Sequence, residues 1–111
     1  MSGKFEIKAT SDGRFHFVLK AANGAVVLSS QMYAAKASAK EGVESVKNNA
    51  THDERYTRET SSKGEPYFSL VAANHQVVGT SQMYASASSR DEGIASVKAN
   101  APKAEVVDLT A

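Results

Sequence analysis

Apolar and polar residues alternate along the first part of the chain. Apolar side chains at every second position predict one β-strand over residues 5–9 and another over residues 15–19. Asp-Gly at 12–13 and Asn-Gly at 23–24 are typical of tight hairpin turns, because these dipeptides tolerate a positive φ angle. A valine-rich stretch over 25–29 predicts a third strand. The pattern therefore predicts a three-stranded antiparallel meander.

The apolar spacing changes to three and four residues after this meander. Residues at that helical spacing occur twice along the chain, at Ala39, Val43, Val46 and Ala50 and again at Ile94, Val97 and Ala101. Ser38 with Glu41 has the spacing of a capping box, and Ser89 with Glu92 repeats it. The sequence therefore predicts two amphipathic helices that begin at these serines and end at asparagines.

A glycine lies inside each predicted helix. Gly42 and Gly93 occupy the same place in the two helices, although glycine in a helix interior costs about 1 kcal/mol relative to alanine. Repetition of an unfavourable residue predicts that each helix backbone packs too closely on its neighbours to admit a methyl group.

The chain contains an internal duplication with an offset of 51 residues. Residues 13–50 and 64–101 align without a gap and share 21 identities in 38 positions, including Ser-Gln-Met-Tyr-Ala at 30–34 and 81–85. A repeat of this size buries too little surface to fold alone, so the two copies are expected to pack about an approximate two-fold axis. The sequence thus predicts a single domain over residues 1–111, made of repeats at about 4–53 and 55–104.

The same offset accounts for the segments after each helix. Residues 54–59 align with the start of the chain, so that Tyr56 stands where Phe5 does, and residues 105–110 predict a further strand. Each unit then reads as three strands, a helix and one strand, with the middle strand serving both units. This arrangement favours an exchange in which each C-terminal strand pairs into the other half.

The duplicated phrase resembles a known family. Ser-Gln-Met-Tyr-Ala, followed by Glu-Gly and Ser-Val-Lys and preceded by Asn-Gly before the third strand, is similar to the YegP-like family of small bacterial proteins of uncharacterised function. The resemblance implies an α+β fold: two tandem β(3)-α-β units forming a single antiparallel sheet, with two helices on one face, pseudo-two-fold symmetry and swapped C-terminal strands. It implies that single-repeat members are homodimers, and it transfers no active-site residue.

Three substitutions distinguish the second repeat from the first. Gly24 is replaced by His75 at the hairpin turn, Phe15 by Pro66, and Ile7 by Arg58. Histidine tolerates the left-handed backbone region, and proline must lie at a strand start or a sheet edge. Because the halves differ in this way, a one-sided function is possible.

Composition narrows the possible partners. The 111 residues include 13 basic and 12 acidic side chains and no cysteine, giving a formal net charge of +1. This charge provides no strong field to attract nucleic acid or anionic membrane. Without a long apolar stretch, neither a signal peptide nor a membrane span is predicted. We expect a cytoplasmic protein with no membrane association, and a monomer because both repeats lie in one chain.

Known catalytic and ligand-binding patterns are missing from the sequence. His16, His52 and His75 lack metal-ligand spacing, and the serines occur outside nucleophile motifs. The glycines form no phosphate-binding loop. The sequence therefore predicts no catalytic residue, no cofactor and no metal.

The Ser-Gln-Met-Tyr phrase has a structural and a functional interpretation. In the structural one, Met32 and Met83 fill irregular space while Tyr33 and Tyr84 anchor the corner between strand and helix. In the functional one, each repeat presents an equivalent surface to a partner, formed by Gln31, Tyr33, Lys47 and Asn49 and by Gln82, Tyr84, Lys98 and Asn100.

Two classes of function remain open from the sequence. The first is a non-catalytic binding or stability module that acts through a duplicated surface, with a protein partner favoured over nucleic acid. The alternative is an enzyme or small-molecule binder with a site at the junction of the repeats. A pocket that holds Arg58, Glu59 and either His75 or His16 would support the alternative.

Overall fold

The computed structural model describes residues 3–110, which form seven strands and two helices of 14 residues each. The elements in chain order are β1 (Lys4–Ala9), β2 (Phe15–Lys20), β3 (Val26–Ser29), α1 (Lys36–Asn49), β4 (Tyr56–Thr60), β5 (Pro66–Val71), β6 (Val77–Thr80), α2 (Ala87–Asn100) and β7 (Glu105–Asp108). Single 3₁₀ turns at Asp53–Arg55 and Ala101–Lys103 follow the two helices. Within the described residues, neither helix is long and apolar enough to cross a membrane.

All seven strands form one sheet, in the order β4-β5-β6-β3-β2-β1-β7. Both predicted meanders are present, and they join through the central strands β3 and β6. The α+β fold of two β(3)-α-β units is thereby confirmed. The sheet is mixed, however, because β7 runs parallel to β1, whereas the other pairings among the described strands are antiparallel.

The end of α2 determines the direction of β7. The side-chain oxygen of Asn100, the last residue of α2, accepts a hydrogen bond from the backbone N–H of Gly3 at 2.9 Å. The chain leaving α2 therefore arrives at the start of β1. From there it continues along β1 in the same direction, with Lys4 opposite Glu105 and Ile7 opposite Asp108.

The strand exchange is present, and β4 serves both units, because it follows α1 of the first repeat and is the first strand of the second meander. After α1, β4 pairs with β5 of the second repeat, and after α2, β7 pairs with β1 of the first repeat. In the second meander β4 takes the place that β1 has in the first. The symmetry would place an equivalent of β7 along the outer edge of β4, but the segment that follows α1 already forms β4 itself. No described strand therefore pairs with that edge.

The pseudo-two-fold axis passes between the central strands. Ser29 of β3 lies opposite Thr80 of β6, and these two residues are equivalent under the 51-residue offset. Leu28 and Gly79 are likewise equivalent, and a β-carbon on Gly79 would lie 2.7 Å from the Leu28 side chain. Two leucine side chains would overlap at the axis. The Leu28 side chain therefore occupies the space on both sides of the axis, and position 79 is a glycine.

One hydrophobic core lies between the helices and one face of the sheet. The sheet contributes side chains that alternate along the strands, and each helix contributes its apolar stripe. The largest fully buried side chains are Phe5, Phe17, Phe68, Ile7, Leu19, Leu28, Leu70, Val43, Val46 and Val97. Both helices therefore cover the same face, and residues of both repeats share the core.

The local expectations at the turns are confirmed. Gly24 has a φ angle of +85°, and His75 adopts the same left-handed conformation with a φ angle of +68°. Pro66 is the first residue of β5. At this position Phe15 donates its N–H to Tyr33 at 2.8 Å, a bond that proline cannot make in the second repeat.

The predicted capping boxes are wrong, although the helices end at Asn49 and Asn100 as expected. Helix α1 begins at Lys36 after Ala35, which has no capping side chain. Helix α2 begins at Ala87, and the hydroxyl of Ser86 accepts a hydrogen bond from the N–H of Ser89 at 3.1 Å. The chain enters the helix directly after the corner, which leaves Ser38 and Ser89 inside the first turn.

Candidate functional site

The Ser-Gln-Met-Tyr phrase forms the corner between the third strand of each repeat and the helix that follows. The serine is the first fixed point of this corner. The Ser30 hydroxyl accepts a hydrogen bond from the N–H of Phe17 at 2.9 Å and donates one to the carbonyl of Gln31 at 2.7 Å. Ser81 makes the equivalent bonds in the second repeat, at 3.0 Å and 2.8 Å. Each serine thus ties the corner to the neighbouring strand.

The tyrosine is the second fixed point. The ring of Tyr33 stacks on Phe17 with centroids 6.3 Å apart and planes 10° apart, and Tyr84 stacks on Phe68 at 6.3 Å and 14°. The Tyr33 N–H also donates to the carbonyl of Phe15 at 2.6 Å. Burial raises the pKa of both tyrosines, and side-chain hydrogen bonds with Gln31 and Gln82 oppose this effect only in part. The predicted anchoring role of the tyrosines is confirmed.

Each helix glycine lies against the tyrosine of the same repeat. A β-carbon on Gly42 would lie 2.6 Å from the Tyr33 hydroxyl oxygen and 2.8 Å from the Phe17 ring. A β-carbon on Gly93 would lie 2.7 Å from the Tyr84 ring, and its hydroxyl is closer still. The predicted close packing is therefore present, and the tyrosine of the corner is the side chain that makes it close.

Glutamine and methionine project from between the two fixed points. Gln31 and Gln82 are exposed, and so are Met32, at 46%, and Met83, at 44%. The expectation that the methionines fill irregular space is therefore wrong. The hydrogen bonds that hold the corner are made by the serine before the Gln-Met pair and by the tyrosine after it. The pair itself therefore projects outward.

The two lysines of the predicted partner surface lie over aromatic rings of β1 and β4. Lys47 lies over the ring of Phe5, 5.9 Å from its centroid, and Lys98 lies over Tyr56 at 5.6 Å. Lys98 also donates a hydrogen bond to Asp53 at 2.6 Å. Lys47 follows Gly42, which the Tyr33 hydroxyl approaches, by five positions, or about 7.5 Å along the helix axis. Each lysine thus lies over a ring of the first strand of its meander.

The two asparagines fix the chain after each helix. Asn49 donates to the carbonyl of Ser45 at 2.7 Å and accepts from Arg55 at 3.0 Å. Asn100 donates to the carbonyl of Ser96 at 2.8 Å and accepts from the N–H of Gly3 at 2.9 Å. Their side chains are occupied by these bonds. Of the eight predicted residues, only Gln31 and Gln82 are classed as exposed, and the tyrosines are half-buried.

The residues named for the alternative site lie far apart. His16 is on β2, four strand spacings away from β4, which places it about 19 Å from Arg58 and Glu59. His75 lies in the turn between β5 and β6. Over residues 3–110, no three potential ligand side chains are grouped to hold a metal ion. In the described part of the chain, His16 is therefore not brought together with Arg58 and Glu59.

A cluster of charges on the open face of the first repeat escaped the sequence reasoning. Glu6 is 7% exposed, and its carboxylate lies 3.0 Å from Lys20, 3.5 Å from Lys4 and 3.9 Å from Lys8. The hydrogen bond from Lys20 lowers the pKa of Glu6 despite the opposing effect of burial. The alternation of β1 puts Lys4, Glu6 and Lys8 on one face, and this signal could have found the cluster.

Sequence comparison identifies the repeat. The sequence model described as "Domain of unknown function (DUF1508)" matches the chain twice, at residues 10–56 and 61–108. The chain is 54% identical over 110 residues to the UPF0339 protein YegP of Shigella flexneri, covering 99% of this chain and 100% of the relative. It is 56% identical to a UPF0339 protein of Acinetobacter baylyi, covering 99% of each chain.

Two solution NMR structures share the fold. YegP of Escherichia coli, described as a protein of unknown function, superposes with a TM-score of 0.94 at 53% identity, covering 99% of this chain and 95% of that one. A UPF0339 protein of Shewanella oneidensis superposes with a TM-score of 0.93 at 48% identity, covering 99% and 93%. The match over both repeats and the full length shows that the chain belongs to the UPF0339 family of YegP-type proteins, built from two DUF1508 repeats.

Proposed function

We propose that this protein is a non-catalytic, cytoplasmic binding module that recognises a protein partner through its two Gln-Met corners. The corner residues are Gln31 with Met32 in the first repeat and Gln82 with Met83 in the second. A monomer carries both corners at a fixed distance and orientation, because one sheet and one core join the repeats.

The observation that supports this proposal is that both repeats carry the same two residues, glutamine and methionine, at the exposed part of the corner. The repeats differ at 17 of 38 aligned positions, since 21 are identical. Ser and Tyr recur for a structural reason, because their hydrogen bonds and ring stacking build the corner. Folding gives no comparable reason to retain a large apolar side chain at 46% and 44% exposure in both copies.

The chemistry of the pair suits a protein surface. Methionine is unbranched and polarisable, so it adapts to apolar pockets, and it is enriched at protein interfaces. The neighbouring glutamine supplies both a donor and an acceptor for a peptide backbone. With a net charge of +1, electrostatic attraction of a polyanion is weak, which favours a protein over nucleic acid.

Affinity capture from a native bacterial lysate tests the proposal. The wild-type chain, the variant Met32→Glu/Met83→Glu and the control Val77→Glu serve as parallel baits. Val77 is exposed to 47%, like the methionines, but lies on β6 outside the corners. A protein recovered with the wild type and Val77→Glu but lost with the double variant supports the proposal.

Two results would contradict the proposal. Equal capture of the same protein by all three baits would place recognition elsewhere. Recovery of nucleic acid in a nuclease-sensitive manner would contradict a protein partner. The monomer is tested by light scattering, where a mass of twice 11.8 kDa at low concentration would count against it.

A further inference from the structure

We propose that the outer edge of β4 binds an extended protein segment as an added parallel strand, with an apolar residue followed two positions later by a carboxylate. This site is separate from the Gln-Met corners. It would make the module bind a partner by extending its own sheet, a mode in which backbone hydrogen bonds provide affinity and side chains provide specificity.

The internal symmetry of the fold defines the site. The two-fold relationship that superposes β1 on β4 carries β7 to a position alongside β4. Within residues 3–110, no strand occupies that position, and β4 is the last strand of the sheet on that side. The chain therefore contains one filled and one uncovered example of the same strand-binding edge.

The filled edge shows what an added strand contacts. In the first repeat, Val106 lies opposite Phe5 and, together with Lys40, Val43 and Glu44, lines a cleft of about 250 Å³ beside α1. Asp108 lies opposite Ile7 and forms an ion pair with Lys36 at 2.7 Å. An apolar residue and a carboxylate thus face the helix side of this edge.

The uncovered edge has equivalent residues with a different charge. Under the offset, Tyr56 replaces Phe5 and Ile94 replaces Val43. Both Tyr56 and Ile94 are buried and Lys98 lies over the Tyr56 ring, so an apolar side chain opposite Tyr56 would pack at the edge of this apolar pair and along the Lys98 side chain. Arg58 replaces Ile7, and Ala87 replaces Lys36. At the filled edge, the cation beside the carboxylate is on the helix. At the uncovered edge, the corresponding cation, Arg58, is on the strand.

Arg58 is available for such a carboxylate. Its side chain is 41% exposed and pairs on the helix side with Asp91 at 3.2 Å and more loosely with Asp53 at 3.9 Å. A guanidinium has five N–H donors and can bind more than one carboxylate. A charged residue on an edge strand also disfavours pairing with purely apolar strands. Arg58 therefore favours an incoming strand that carries an acidic residue.

The chain itself provides a probe with the required pattern. A synthetic peptide with the sequence of residues 103–110, capped at both ends, carries Val-Val-Asp in the β7 register. Titrated into the ¹⁵N-labelled full chain, it is expected to shift the amide signals of β4 saturably and to leave those of β1 unchanged. A spin label on the peptide N-terminus should broaden Tyr56 more than Thr60, as parallel pairing requires.

A charge exchange provides the matched control. Arg58→Glu should weaken binding of the peptide by about tenfold or more, and a peptide with Asp108→Lys should bind that variant about tenfold better than it binds the wild type. Met32→Glu/Met83→Glu should bind the original peptide like the wild type, which separates this site from the corners.

Three outcomes would overturn the proposal. They are the absence of a saturable shift in β4 at millimolar peptide, a shift confined to β1, and equal affinity for the two peptides in wild type and Arg58→Glu. Dimerisation of the chain with loss of the β1–β7 contacts would assign the edge to β7 of a second copy, and would also contradict a partner segment.

Discussion

The hydroxyl of Tyr33 lies against the backbone of Gly42, so close that a β-carbon on Gly42 would be 2.6 Å from its oxygen. Tyr84 and Gly93 have the same relationship in the second repeat. Each contact joins a corner to the middle of the following helix. The position of the tyrosine that follows each Gln-Met pair therefore depends on a residue that lacks a side chain.

Gly42→Ala and Gly93→Ala are expected to destabilise the protein, each by about 1–3 kcal/mol, because the added methyl group overpacks the space beside the tyrosine. Helix propensity alone would give the opposite sign and stabilise the helix by about 1 kcal/mol. Urea unfolding followed by circular dichroism decides between them. Two alanine variants more stable than the wild type would contradict the packing explanation.

The role of the tyrosine can be isolated with a double-mutant cycle. Tyr84→Phe removes the atom nearest to position 93, so the cost of Gly93→Ala should be smaller in the Tyr84→Phe background. Relief should be weaker at Gly42 with Tyr33→Phe, since the Tyr33 hydroxyl, at 2.6 Å, is farther from the added carbon than the Tyr84 hydroxyl is, and a ring carbon at 2.7–2.8 Å remains at both sites. Strict additivity at both sites would show that the hydroxyl does not cause the clash.

Gly79→Ala is expected to be destabilising because its β-carbon would lie 2.7 Å from Leu28, a fully buried residue at the pseudo-two-fold axis. Leu28→Ala should cost about 2–5 kcal/mol through the cavity that it leaves. In the double variant Leu28→Ala/Gly79→Ala, the new methyl enters that cavity, so the loss of stability should be less than the sum. Chemical denaturation of the three variants measures this coupling, and an additive double variant would refute it.

Local periodicity predicted most of the fold. The alternation around Phe5 and Phe17 predicted the strands, and the offset placed Tyr56 correctly in β4. The parallel direction of β7 could not be predicted in the same way. It depends on the contact of Asn100 with Gly3, residues separated by 97 positions in sequence.

The candidate site was predicted less completely than the fold. The repeated phrase identified the corner, but side-chain exposure depends on how the backbone passes between Ser30 and Tyr33, and no periodicity encodes that path. Met32 was therefore expected inside and lies outside. The position of Lys47 over the ring of Phe5 joins residues 42 positions apart, and no local pattern indicates such a contact.

Ala35→Ser is expected to stabilise the protein, and Ser86→Ala to destabilise it, each by about 0.5–2 kcal/mol. The two residues are equivalent and share extended backbone geometry, with φ and ψ of −130° and 147° at Ala35 and −149° and 161° at Ser86. A serine hydroxyl at position 35 can therefore accept from the N–H of Ser38, which now donates to the carbonyl of Ala35 at 3.1 Å, as Ser86 accepts from Ser89. Thermal melts of both variants test this, and unchanged melting temperatures would argue against a capping role.

The pairing of β7 with β1 should weaken in acid. The hydrogen bonds from Lys36 and from the hydroxyl and N–H of Thr110 hold the pKa of Asp108 well below its usual value. Since the folded pKa lies below the unfolded one, the ion pair contributes fully above about pH 4 and its contribution disappears as the pH falls through the folded pKa. Exchange of the Leu109 amide, which bonds the carbonyl of Ile7 at 2.9 Å, reports this loosening.

Lys36→Ala is expected to reproduce that loosening at neutral pH and to raise the pKa of Asp108 towards its usual value, because the variant removes the main partner of the carboxylate. NMR titration of the carboxyl carbons measures the shift. Asp12 is the internal control: Arg14 and Thr10 lower its pKa to about 2, and within residues 3–110 neither forms a hydrogen bond or ion pair with β7. An unchanged Asp108 titration, or equal changes at Asp108 and Asp12, would show that Lys36 does not hold the strand.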